Sequence, residues 1–362
     1  MKYEEIYREL QQQFQQRKWK SGQRFPTERE LADQYRVSRP TISRVVNRLR
    51  DAGQVRRVVG SGTFVIDAAE ETTAHLTFGL FVPGLGRGEI FEPICARIAE
   101  LSHEFNFTLV WGSVPANGPV DHEPHLMATA KRFIDHGMDG VFFQPVELES
   151  AVSTKNRRIV AMFEEAQIPI VLLDSDYLSY PYRSAHDLVG IDNIRAAYVL
   201  TSHMIEKGAR RVDFLWQPHT GESRSLRVAG YRDALFSAGV PHLRDFEHEG
   251  DPRSLPFVRD LIDGGATDII CANDETAALL MLSFESLNVR VPGDVRIAGF
   301  DDVKYARLAR VPLTTMSQPY RALGDLAVQT IIARIAQPAL PPRTVTAEAT
   351  LCARESTSVP AV

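Results

Sequence analysis

The chain has 362 residues, 44% hydrophobic and 24% charged, which suits soluble globular structure and exceeds one ordinary domain. No run of about 18 apolar residues is available for a membrane span, and the polar start Met1-Lys2-Tyr3-Glu4-Glu5 is not a signal peptide, so a cytoplasmic protein is expected. Its three cysteines, Cys95, Cys271 and Cys352, are far apart and odd in number, which excludes a disulfide framework and a CxxC metal site and leaves them as small buried hydrophobes.

Charge is segregated. Residues 1–66 hold 14 Lys and Arg against 7 Asp and Glu, whereas the whole chain is net −5, so residues 67–362 carry −12. A basic head on an acidic body suits phosphate neutralisation. Tyr3, Ile6, Tyr7, Leu10 and Phe14 form the apolar stripe of a first helix. Thr27 and Glu30 have capping-box spacing, so a second helix starts near Glu28 and uses Leu31, Ala32 and Tyr35 as its stripe. Val37-Ser38 supplies a turn and a second cap. In the run Arg39 to Leu49, Ile42, Val45, Val46 and Leu49 fall on one buried face, leaving Arg39, Pro40, Ser43, Arg44 and Asn47 outward for phosphates and base edges. Two strand-forming runs, Val55 to Val59 and Thr63 to Ile66, flank Gly60-Ser61-Gly62 and predict a wing with a glycine tip.

In this order, Phe25-Pro26-Thr27-Glu28-Arg29-Glu30-Leu31-Ala32, Val37-Ser38-Arg39-Pro40-Thr41-Ile42 and Gly60-Ser61-Gly62-Thr63-Phe64-Val65 resemble a winged helix-turn-helix of the GntR type. The resemblance covers residues 1–66 and implies binding to double-stranded DNA through Arg29, Ser38, Arg39, Pro40, Thr41, Ser43, Arg44, Gly60, Ser61 and Gly62. One position departs: Ser43 stands where the family usually has Arg. The rival is a sugar-binding or sugar-modifying protein whose basic head serves protein contact, without sequence-specific DNA affinity.

Residues 67–75 have no apolar periodicity and read as a linker. Beyond them, strand-length apolar runs alternate with amphipathic helices: Leu76 to Val82, Phe107 to Trp111, Gly140 to Phe143 and Ile168 to Leu173, then Val189 to Ile191, Arg211 to Trp216, Asp268 to Cys271 and Val295 to Gly299. Such alternation predicts βαβ units, parallel sheets and an α/β fold in two halves. Val189-Gly190-Ile191-Asp192-Asn193, Arg227-Val228-Ala229-Gly230-Tyr231, Cys271-Ala272-Asn273-Asp274-Glu275, Ile297-Ala298-Gly299-Phe300-Asp301-Asp302 and Pro312-Leu313-Thr314-Thr315 then resemble the effector domain of LacI-type regulators, which have the periplasmic-binding-protein fold.

That resemblance implies a two-lobed effector and dimerisation domain over 76–362, lobe 1 about 76–186 and 319–342, lobe 2 about 187–318 and 343–356. Ligands of open α/β sheets bind at the carboxyl ends of strands, which favours Asp174, Asn273, Asp274 and Asp301 by position. Carboxylates, an amide and the donor pair of Arg227 suit a neutral polyhydroxylated molecule such as a sugar. The resemblance implies effector contacts from Arg227, Asn273 and Asp301, with Asp174 and Gln318 matching less strongly. Phe91 is either a stacking wall or plain core; Asp274 reads better as the cap of the helix that follows, and Asp302 is discounted in the same way.

Other patterns carry less. Gly84-Leu85-Gly86-Arg87-Gly88 lacks the spacing of a dinucleotide loop, Asp121-His122-Glu123-Pro124-His125 reads as a solvated loop rather than a metal site, and Ser223 and Ser225 lack a nucleophile elbow although both fit a cleft lining. No cofactor, metal or catalytic residue is implied. The combined architecture is similar to arabinose-responsive repressors. It implies no enzyme but a homodimeric, sugar-responsive transcription factor, a repressor of carbohydrate-utilisation genes that leaves a palindromic operator when sugar closes the lobes. A corepressor or coactivator role for the ligand is the alternative.

Overall fold

The computed structural model describes residues 2–15, 18–19, 23–51, 54–58, 62–65, 75–82, 90–112, 123–146, 152–218 and 220–358. The chain divides into two compact units at Leu76/Thr77. Among the described residues no helix is long and apolar enough to cross a membrane.

The first unit is the head, with α1 (Lys2–Gln15), α2 (Glu28–Tyr35), α3 (Arg39–Asp51), β1 (Val55–Val58) and β2 (Gly62–Val65). Thr27 and Glu30 form the predicted box: Glu30 N donates to Thr27 Oγ1 at 3.2 Å and Thr27 N to Glu30 Oε2 at 2.7 Å. Ser38 departs from expectation, since its hydroxyl lies 2.8 Å from the Thr41 hydroxyl, while its carbonyl accepts from Thr41 N and Ile42 N. Ile42, Val45, Val46 and Leu49 are buried against Leu10, Leu31 and the wing residues Val55 and Val65. Arg48 lies 4.2 Å over the Tyr7 ring and 2.8 Å from Glu4, fastening α3 to α1. The wing gains a rung from Gln23 to Phe25: Phe25 N donates to Thr63 O and Val65 N to Gln23 O.

The second unit, the body, contains β3 (Leu76–Phe81), β4 (Phe107–Gly112), β5 (Gly140–Phe143), β6 (Ile170–Leu173), β7 (Asp187–Ile191), β8 (Asp213–Trp216) and β9 (Glu247–Glu249). It continues with β10 (Asp268–Cys271), β11 (Arg296–Asp301), β12 (Thr314–Ser317), β13 (Thr344–Ala347) and β14 (Thr350–Cys352). Its helices are α4 (Phe91–Leu101), α5 (Glu123–Asp135), α6 (Val152–Glu165), α7 (Asn193–Glu206), α8 (Ser223–Ala238), α9 (Leu255–Asp263), α10 (Asp274–Ser286), α11 (Lys304–Leu308) and α12 (Tyr320–Ala336). Two six-stranded sheets result, ordered β13-β7-β6-β5-β3-β4 in lobe 1 and β14-β12-β11-β10-β8-β9 in lobe 2. Strands β5, β6 and β10 are buried along their whole length, as parallel strands covered on both faces must be.

Two expected lobe boundaries move. Strand 187–191 pairs with β6, Val171 opposite Asp187, and with β13, Thr346 opposite Gly190, so it belongs to lobe 1 and not to a lobe beginning at residue 187. Asp187 explains why: its buried carboxylate accepts from Arg334 of α12 at 2.9 and 3.0 Å and from Arg343 N at 2.8 Å, all within lobe 1. The chain therefore crosses between lobes after Ile191, after Ser317 and after Ala347. Strands β9, β12, β13 and β14 were absent from the sequence expectation, because none is an apolar run.

Gly230 of α8 faces the backbone of α7. A Cβ there would stand 2.0 Å from Ile194 O, a contact that no side-chain rotation relieves. Gly230→Ala is expected to destabilise the body by about 1–3 kcal/mol, read as a lower urea midpoint; an unchanged midpoint contradicts this packing.

Candidate functional site

A cavity of about 260 Å³ opens between the two sheets of the body. Lobe 1 lines it with Phe91 at the start of α4, Gln144 after β5 and Asp174 after β6, and lobe 2 with Gln217, Ser223, Arg227, Asn273 and Asp301. Five of the six effector candidates thus line one cavity. Gln318 stands one layer back, 4% exposed, and donates to Asp301 Oδ1 at 2.8 Å; it positions Asp301 and is not part of the lining. Phe91 is both core and wall, only 6% exposed yet facing the cavity.

Arg227 is held before any ligand arrives. Its Nε donates to Asn193 Oδ1 at 2.8 Å, one terminal nitrogen to Ala272 O and the other to Asp301 Oδ1 at 3.5 Å, with the guanidinium 4.4 Å over the Phe300 ring. Two of the five N–H groups of an arginine remain for a ligand. Asn273 is the N-cap of α10, accepting from Thr276 N at 2.8 Å and Thr276 Oγ1 at 2.7 Å, so its amide nitrogen is what it offers the cavity. This corrects the expectation for Asp274. Asp274 lies in the core, accepting from Thr315 Oγ1 at 2.7 Å and Val303 N at 3.2 Å, and burial with the nearby Asp301 charge pushes its carboxyl well above the usual range. Gly299 makes that position possible, because a Cβ there would lie 2.4 Å from Asp274 Oδ1. Asp302 caps nothing either; it pairs with Arg307 at 2.5 Å and Arg354 at 2.6 Å.

Asp174 and Asp301 both have positive φ, 69° and 111°, a backbone conformation that residues other than glycine rarely adopt. Asp174 N donates to Val189 O at 2.8 Å, and the absence of a side chain on Gly190 lets the Asp174 carbonyl approach. Asp174 Oδ1 is shut from solvent and has no hydrogen-bond donor, and the same holds for Gln144 Oε1. Burial pushes the Asp174 carboxyl up to about 6; Arg227 pulls it down and Asp301 pushes it up further. Bonds already span the lobes: Ser179, in the segment after β6, donates to Glu222 Oε1 at 2.8 Å, and Tyr320 of α12 donates to the Asp301 carbonyl.

On the head, Arg29, Ser38, Arg39, Pro40 and Arg44 are exposed and Thr41 and Ser43 are partly covered. Arg39 reaches Glu28 at 3.4 Å while staying largely in solvent. Gly62 has φ 120°, and Gly60 and Ser61 lie outside the described residues, as do the linker residues 67–74, the run Gly84 to Gly88, and Asp121 with His122. Glu123 to His125 form the first turn of α5, where Glu123 pairs with Arg158, so that part is helix and not loop. Ser223 lines the cavity; Ser225 instead donates to Glu222. Cys95 and Cys271 are buried as expected, Cys352 only partly.

Residues 2–65 match the model of the bacterial regulatory proteins of the gntR family, and residues 201–357 that of a periplasmic binding protein-like domain. The arabinose metabolism transcriptional repressor of Geobacillus stearothermophilus is 26% identical over 329 residues, 88% of this chain and 86% of that protein. Among solved structures, the transcriptional regulator CelR in complex with cellobiose aligns with TM-score 0.65 at 22% identity, over 92% of this chain and all of that one. A LacI family regulator from Enterococcus faecium with bound ribose aligns with TM-score 0.62 at 23% identity, over 78% of this chain and 98% of that one. The chain is a transcriptional regulator with a GntR-family head and a LacI-type effector body.

In this regulator further residues stand at the strand ends as Asp174 does. Gln144 follows β5 and Gln217 follows β8 at the same carboxyl edge, and Asn193 stands in the quoted Val189 to Asn193 motif. Glu222, in the approach to α8, carried no signal. Because the folded pKa of Asp174 is raised, its contribution to stability is complete below the unfolded value of about 4 and lost as pH rises through about 6. Asp174→Asn, which cannot ionise, is expected to make the regulator more stable at pH 7.5 by up to about 3 kcal/mol relative to the parent, the difference vanishing below about pH 4. Parallel pH profiles of the two unfolding midpoints contradict it.

Proposed function

We propose that this regulator is a cytoplasmic homodimer that represses carbohydrate-utilisation genes and leaves a palindromic operator when a small sugar binds between its lobes. Residues of both lobes wall one cavity, and this observation carries the proposal: a ligand held by Arg227, Asn273 and Asp301 on one side and by Phe91 and Asp174 on the other stabilises closure. At about 260 Å³ the cavity lies below the roughly 300 Å³ at which pockets for drug-sized ligands begin, which suits one sugar unit. The sugars in the names of its relatives support the same ligand class. The outward residues of α3 are the base-reading set, with Arg39 foremost, and the wing tip approaches the backbone.

Arg39→Ala is expected to cost on the order of 1–3 kcal/mol of operator affinity while leaving sugar binding unchanged. Equal gel-shift titrations for parent and variant remove α3 from the base-reading role. Arg227→Ala deprives Asn193, Ala272 and Asp301 of their common donor and a sugar of its charged one. It is expected to weaken sugar binding by about 1.5–3 kcal/mol and give a repressor that still binds its operator but is not released. Calorimetry showing parent-like affinity in the variant sinks the assignment of the cleft.

A further inference from the structure

The cavity wall is one-sided in charge and in hydrogen bonding. Among the described residues, Asp174, Asp176, Glu222, Glu275 and Asp301 line it against Arg227 as the single cationic side chain, and Arg227 is already bonded on every nitrogen. Three carboxylates are supplied by the protein itself: Asp176 accepts from Leu178 N, Ser184 N and Ser184 Oγ, Glu222 from Ser179 and Ser225, and Asp301 from Gln318 and Arg227. Asp174 Oδ1 is supplied by nothing, and neither is Oε1 of Gln144, a side chain only 7% exposed. Both orphaned atoms belong to side chains that line the cavity, and both are acceptors. What is missing is a donor-rich, positively charged group.

An anion, such as a sugar phosphate or a sugar acid, meets like charge here and finds only the two remaining N–H groups of Arg227. A hydroxyl of a neutral sugar donates one hydrogen bond and leaves the negative wall unbalanced. An ammonium donates three and offsets the charge. Resting on the sugar reading above, we infer that the effector of this cleft is an amino sugar or a similarly small amino-polyol, its ammonium seated against Asp174. This departs from the neutral ligand expected from the sequence.

The test is calorimetry on the full chain with paired ligands: glucose and glucosamine, galactose and galactosamine, mannose and mannosamine, the N-acetyl form of each amine, and the neutral pentoses arabinose, ribose and xylose. In at least one pair the amine is expected to bind tenfold or more tightly than its hydroxyl parent, and N-acetylation, which removes the charge, to abolish that gain. Asp174→Asn is expected to erase the ratio between amine and parent sugar; if this variant does not fold, the N-acetyl comparison on the parent protein stands alone. Binding of a neutral hexose or pentose with no amine preferred in any pair overturns the inference and leaves the sugar reading standing. If no sugar in the panel binds, both fall.

Discussion

The effector body depends on one interaction, the fixing of Arg227. A guanidinium that is 3% exposed must have its charge and its donors met, and here Asn193, the Ala272 carbonyl, Asp301 and the Phe300 ring meet them from three separate elements. The start of α7, the end of β10 and the end of β11 are thereby held around one point at the carboxyl edge of the lobe 2 sheet. Gln318 steadies Asp301 from behind at 2.8 Å, and Tyr320 donates to the Asp301 carbonyl, so the first residues after the second crossing are tied to the same centre. A ligand finds a preformed half-site, which lowers the ordering cost of binding.

The other half comes from lobe 1, where the wall is less complete. Asp174 and Gln144 are placed but unsatisfied, and buried polar atoms without partners are costly. That imbalance gives the ligand its leverage: it completes lobe 1 while bonded to lobe 2, and so favours the arrangement in which both lobes reach it. Three crossings of the chain, after Ile191, Ser317 and Ala347, lie between the sheets and are where such a movement must be absorbed. The Asp187 cluster with Arg334 and Arg343 keeps the lobe 1 side of the first and third crossings firm.

Much of this was legible in the sequence, for identifiable reasons. The head is a short amphipathic domain with local signals, so the Thr27 to Glu30 box and the buried faces of α2 and α3 were readable at residue level. Parallel strands buried on both faces announce themselves as apolar runs, which located β5 and β10 to the residue. Strand β12 was invisible on that criterion because Thr314 and Thr315 are buried through their hydroxyls, which bond Thr357 and Asp274. The affiliation of β7 was misjudged because strand pairing is non-local; nothing near Asp187 in sequence reveals Arg334 and Arg343. The cap of α10 was misassigned to Asp274 for a similar reason. Either side chain can cap α10, and the choice was decided by Thr315 and Val303, far along the chain.

Ligand and operator must be thermodynamically coupled if the cleft controls the head, and coupling is reciprocal. The most direct measurement is the dissociation constant of the effector for the free regulator and for the regulator saturated with an operator recovered from random duplexes. Operator is expected to weaken effector binding by the same factor by which effector weakens operator binding, on the order of 5- to 150-fold. An effector that binds equally well with and without operator contradicts it.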